Sequence, residues 1–61
     1  MSVVYIKFNG KFQPCFDPLI TFLKRENLWY VWWQDHNGTH QQVVDKIYTE
    51  EEYEREVRNS N

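Results

Sequence analysis

Residues 28–34 read Leu-Trp-Tyr-Val-Trp-Trp-Gln, which places three tryptophans and a tyrosine within five consecutive positions. β-branched and aromatic residues at this density fit a pleated strand. Successive side chains of a strand point to opposite faces. Trp29, Val31 and Trp33 therefore share one face, and Leu28, Tyr30 and Trp32 share the other. Both faces are apolar, so each needs a cover. The chain has only 61 residues, and a domain of that size buries only about 60% of the surface its unfolded form exposes.

The neighbouring segments supply the rest of a sheet. Asn37–Gly38 is a strong hairpin signal, and residues 39–48, Thr-His-Gln-Gln-Val-Val-Asp-Lys-Ile-Tyr, provide the returning strand. A two-residue turn at Asn37–Gly38 sets Trp32 opposite Val43, Val31 opposite Val44 and Leu28 opposite Ile47. Leu28, Tyr30, Trp32, Val43 and Ile47 then form one face, with Trp29, Val31, Trp33 and Val44 on the other. A second hairpin is expected at the N-terminus. Val4, Ile6 and Phe8 alternate with Val3, Tyr5 and Lys7, and Asn9–Gly10 follows. A two-residue turn there pairs Phe8 with Lys11 and Ile6 with Gln13, mixing apolar with polar. A three-residue loop pairs Phe8 with Phe12 and Val4 with Phe16. Because the buried face sets register, the sequence favours the odd-length loop. Pro14 cannot donate to a ladder, which puts its strand at a sheet edge.

Two helices complete the expectation. In Asp-Pro-Leu-Ile-Thr-Phe-Leu-Lys-Arg-Glu-Asn, residues 17–27, Asp17 suits an N-cap and Pro18 the first helical position. Lys24 and Arg25 suit the C-terminal end of the dipole. These features predict a short helix near 18–26, in competition with a strand over 19–24 whose turn is Arg25–Asn27. At the C-terminus, Thr49 and Glu52 form a capping box, Glu50–Glu52 favour the dipole, and Glu51/Arg55 and Glu54/Arg58 are spaced for i,i+4 pairs. A helix near 50–58 follows, docking through Tyr53 and Val57, with 59–61 expected to fray. The predicted architecture is a single α+β domain over 1–61: a small antiparallel sheet of about four strands from two Asn-Gly hairpins, with two helices.

Composition narrows the function classes. Cys15 is the only cysteine, which excludes an internal disulfide and a thiolate metal cluster. Aromatic residues, at 18% of the chain, and self-association are the remaining ways to give so short a chain enough core. Residues 1–30 carry four basic and two acidic side chains, and residues 31–61 carry three and seven. Neither half holds the dense basic patch of a nucleic-acid binder. No apolar run reaches the roughly 18 residues of a membrane span. The opening Met-Ser-Val-Val-Tyr-Ile-Lys lacks the features of a signal peptide, so a cytoplasmic location, in a cell or in a virus's host, is expected.

Candidate chemistry is sparse. Asp35, His36 and His40 flank the second turn, but a metal site usually takes three or four ligands, and turn chemistry explains them more simply. Cys15, between Pro14 and Phe16 in a strand, fits a small buried apolar group better than a nucleophile. Both glycines belong to turns, which excludes a glycine-rich phosphate loop. Asn37-Gly38-Thr39 matches a glycosylation pattern, yet reads first as a turn. No catalytic residue, metal or cofactor is expected. Trp and Tyr are enriched at binding hot spots, and an aromatic sheet with one face left over marks an association surface.

The expected function is non-enzymatic protein binding through Trp29, Val31 and Trp33, or through Tyr30 and Trp32. Glu50, Glu51 and Glu54 would form an acidic rim that steers a basic partner. A homodimer, a host protein, or both are the expected partners. The size, aromatic load and lack of catalytic motifs are similar to those of small phage or mobile-element proteins that inhibit a larger host factor. The alternatives are single-stranded nucleic-acid binding by aromatic stacking and metal-dependent activity at His36 and His40.

Overall fold

A computed structural model describes residues 2–59. The expected fraying of 60–61 lies outside those residues, and Asn59 is the last residue of a helix. The chain is α+β, with six strands followed by that helix: β1 (Val3–Phe8), β2 (Lys11–Phe16), β3 (Leu19–Leu23), β4 (Leu28–Asp35), β5 (Gly38–Val44), β6 (Tyr48–Thr49) and α1 (Glu50–Asn59). The strands form two antiparallel sheets of three, ordered β2-β1-β6 (sheet A) and β3-β4-β5 (sheet B). The expectation of about four strands in one sheet is thus corrected. Two sheets stack because the chain has two apolar faces to bury, and each sheet covers one face of the other. Val4, Ile6 and Cys15 from sheet A meet Trp29, Val31, Trp33 and Val44 from sheet B, with Ile47 closing the side. Ile47 therefore belongs to this core and not to the face of Tyr30 and Trp32.

The predicted helix at 18–26 is strand β3, paired with β4 from Leu19↔Trp32 to Leu23↔Leu28. Fewer than three turns of isolated helix are marginal in water, whereas a strand of Leu, Ile, Thr, Phe and Leu finds a ready template in the aromatic β4. Its supposed cap signals are used otherwise. Asp17 adopts φ 49°, its carboxylate accepts from the Ser2 N–H at 2.8 Å, and its own N–H donates to the Ser2 carbonyl. Lys24–Asn27 form the turn, closed by Asn27 N–H donating to the Leu23 carbonyl at 2.8 Å with Asn27 at φ 57°.

Both Asn-Gly hairpins are present, each in an unexpected register. The first has a two-residue turn, Phe8↔Lys11, with Asn9 and Gly10 at φ 53° and 75°. Positive φ at both positions gives the turn that matches strand twist. The predicted three-residue loop fails because both faces of sheet A are used: Ile6 and Cys15 pack inward, while Tyr5 and Phe12 pack outward under α1. In the second hairpin the turn residues are His36 and Asn37, with Asp35↔Gly38 as the closing pair. Trp32 faces Gln41, Val31 faces Gln42 and Trp29 faces Val44. This slip of two residues keeps the predicted face of every strand residue. Pro14 lies in β2, an edge of sheet A as expected.

Helix α1 starts with the predicted capping box. Thr49 N–H donates to Glu52 Oε1 at 3.2 Å, and Glu52 N–H donates to Thr49 Oγ1 at 3.1 Å. Those Thr49 bonds hold the Glu52 carboxyl below its ordinary range. Arg55 lies 3.9 Å from Glu51. Tyr53 docks the helix: its ring stacks on Tyr5 at 3.8 Å and meets Phe12 edge-on at 5.1 Å. The layers therefore run α1, sheet A, core, sheet B.

Candidate functional site

Sheet B has a second face, turned away from the core. Strand alternation places there Leu19, Thr21 and Leu23 of β3, Leu28, Tyr30, Trp32 and Gln34 of β4, and Thr39, Gln41 and Val43 of β5. None of the ten is charged. No described element packs on this face. Leu19 is 66% exposed and Val43 44%, while Leu28, Tyr30 and Trp32 are half-buried by their own neighbours. The Tyr30 hydroxyl donates to Gln41 Oε1 at 2.5 Å, which fixes the ring against the sheet. Natural sheets with one solvated face alternate apolar residues with polar ones and guard them with charge. This face instead presents a rigid, uncharged surface with Trp32 near its centre.

The five aromatic-strand positions divide between core and surface. Val31 is fully buried and Trp33 is 5% exposed. Both lie between the sheets, and Trp29 packs against the same core with its ring 4.7 Å from Phe22. Trp29, Val31 and Trp33 are thus corrected from a candidate contact face to the inter-sheet core, because sheet A supplies the cover that a single four-stranded sheet would have lacked. Tyr30 and Trp32 remain at the surface. The expected acidic rim lies apart from this face. Glu50, Glu51 and Glu54 ride on α1, which packs on sheet A, so two layers of strands separate them from Trp32. Within α1, Glu50 and Glu51 stand in the first turn and Glu51 pairs with Arg55.

The turn beside the face is held by Asp35. Its Oδ1 accepts from the Asn37 N–H at 2.8 Å and lies 2.9 Å from His40 Nε2. The His40 bond first, and the Asn37 bond second, hold the Asp35 carboxyl below its ordinary range. His40 also stacks on Trp33 at 5.4 Å, while His36 is exposed. Among the described residues there is no group of three or more His, Cys, Asp or Glu able to hold a metal ion. A polar cleft of about 450 Å³ opens at this end of the molecule between Phe8 and Gln13 on one sheet and Trp33, Asp35, His40 and Gln42 on the other. Cys15 is elsewhere, fully buried, with burial pushing its thiol up to about 11. A thiol in that state is a poor nucleophile at neutral pH.

Of the seven basic side chains, Lys7 and Lys11 lie on sheet A, Lys46 just before β6, Arg55 and Arg58 on α1, and Lys24 and Arg25 in the β3–β4 turn of sheet B. Lys7 sits over Phe12 at 5.2 Å and Lys46 over Tyr48 at 4.6 Å, while Lys46 also reaches Glu52 at 3.8 Å. Sequence reasoning placed Tyr30 and Trp32 on one face but missed Leu19 and Leu23, whose contribution depends on residues 19–23 being a strand. Among the described residues, no helix is long and apolar enough to cross a membrane. Compared with protein-family models, curated proteins and solved structures, the chain matches none of them.

Proposed function

We propose that the protein is a non-enzymatic binding module whose outer sheet B face, centred on Tyr30 and Trp32, docks a protein partner. One observation carries this reading: ten strand positions on that face are uncharged, and Leu19 and Val43 leave much of their apolar surface in water. Large amphipathic rings on a stiff sheet lose little entropy on binding, which is why Trp and Tyr dominate hot spots. The uncharged face also weighs against nucleic acid, since stacking platforms are paired with a basic groove, and the strands of this face carry no basic residue, Lys24 and Arg25 standing only in the turn at its end. On this reading the module acts as a modulator of a larger host protein in the cytoplasm, in the manner of small phage and mobile-element proteins.

The test is affinity capture from a host lysate with three folded baits: wild type, Trp32→Ala and Glu54→Ala. A specific partner then has to be purified and titrated against each. Wild type and Glu54→Ala should bind it equally. Loss of the Trp32 ring should weaken binding by about 2 kcal/mol or more, as for a hot spot. Equal affinity for all three would move the interface off this face.

A further inference from the structure

We propose that a second copy of this chain pairs with the open edge of β3, antiparallel and centred on Thr21, to join two B sheets into one of six strands. Strand β3 contacts β4 and no other described element. Sheet A lies beneath β4 and β5, so β3 overhangs it. The overhang accounts for Ile20 and Phe22, which sit on the inward face yet remain 39% and 40% exposed.

The backbone is set for pairing. The Leu23 carbonyl accepts from Asn27 across the turn, which directs the Leu23 peptide groups toward β4. Alternation along an antiparallel strand then turns the N–H and C=O of Ile20 and Phe22 to the open edge. Unpaired edges are normally blunted by charge, proline or a bulge. Residues 19–23 hold no charged residue and no proline, and their pairing with β4 is unbroken. The free edge of β2 carries such guards within the strand, Lys11 and Pro14, whereas at β3 they stand only at the ends, as Pro18 and Lys24.

The occupant is identified by self-complementarity. Antiparallel pairing about Thr21 sets Ile20 against Phe22 of the second copy on the inward face, and Leu19 against Leu23 on the outer face. A two-fold interface requires this kind of match, in which one patch meets its own image. Thr21 stands on the axis. The joined sheet also brings the two Trp32 faces onto one continuous surface. The pairing uses the edge and not the face, so it stands whether or not that face binds another protein.

The edge can be read directly by oxidative cross-linking of the full chain, with the buried Cys15 left in place and wild type as the blank. At the axis the two Thr21 Cα atoms would lie about 4.5 Å apart, within disulfide reach. The two Leu19 positions would lie four residues apart along the strands, roughly 13 Å. Thr21→Cys should therefore form disulfide dimers at least about tenfold faster than Leu19→Cys. In sedimentation velocity, wild type should move from 7.6 kDa toward twice that mass as concentration rises from low to high micromolar. Ile20→Pro removes an outward donor without touching the β4 ladder, and should raise the dissociation constant by about tenfold or more. Its near-UV tryptophan spectrum should stay that of wild type. A wild-type monomer at every concentration would overturn the proposal, as would equal cross-linking at positions 19 and 21. A dimer that survives Ile20→Pro but is lost in Trp32→Ala would place the contact on the face and overturn it too.

Discussion

Tyr5 and Trp32 occupy matching places. Each lies in the central strand of a three-stranded sheet, and each points away from the core between the sheets. Tyr5 lies under the Tyr53 ring of α1, whereas no described element covers Trp32. The difference shows how a short chain divides its apolar surface. Four faces are available on two sheets: two close on each other, the helix closes a third, and the fourth is left uncharged and open. Surfaces built for solubility carry interspersed Lys and Glu, and the absence of charge on the ten strand positions of that fourth face is the feature on which the proposed binding role rests.

The largest effect expected from breaking the comparison comes from the covered side. Tyr53→Ala removes the ring that stacks on Tyr5 and meets Phe12 edge-on, and should cost about 2–4 kcal/mol, measured by denaturant unfolding. That is a large share of the roughly 5 kcal/mol available to so small a domain, and the helical signal in circular dichroism should fall with it. Thr49→Ala removes one half of the capping box and should cost about 1 kcal/mol, read as fraying of α1 by hydrogen exchange. On the open side, Trp32 is half-buried by its own sheet alone, with Leu19 and Gln41 as its cross-strand partners, and Trp32→Ala should cost less than Tyr53→Ala, about 1 kcal/mol. A cost as large as that of Tyr53→Ala would mean that the two faces are not different in kind.

The smallest effect separates the two hairpin turns. Asn9–Gly10 is held by backbone conformation, whereas the β4–β5 turn rests on the Asp35 carboxylate. The Asp35 carboxyl is lowered in the folded state, chiefly by its bond to His40, so its contribution is complete above the unfolded carboxylate range near ~4. It is lost as pH falls through the folded value. Thermal melts of wild type and Asp35→Asn should differ at neutral pH and converge in acid, and a difference unchanged by pH would remove Asp35 from the turn's support.

Much of the local structure was legible because the signals were local. Asn9–Gly10, the Thr49/Glu52 capping box, the edge position of Pro14 and the two-faced aromatic strand all follow from residues within a few positions of one another. What escaped depended on partners distant in sequence. Residues 19–23 carry helix-like caps, yet β4 offers them a ladder that no local rule reveals. The first hairpin's register looked mixed only because a single buried face was assumed, and both faces of sheet A are used. For the same reason the aromatic strand could be sorted into two faces but not into core and surface. That assignment waits on the second sheet, and with it the placement of Val31, Trp33 and the acidic helix.

The central claim is that Trp32 keeps part of its ring at the surface with no described element over it, while Trp33, one residue away, is sealed between the sheets. Fluorine NMR of chain labelled with 5-fluorotryptophan tests it directly, with resonances assigned by single Trp→Phe variants and a soluble gadolinium chelate as the probe. The Trp32 resonance should broaden strongly with added chelate and the Trp33 resonance hardly at all. Equal protection of both rings, or broadening of Trp33 in place of Trp32, would contradict the account.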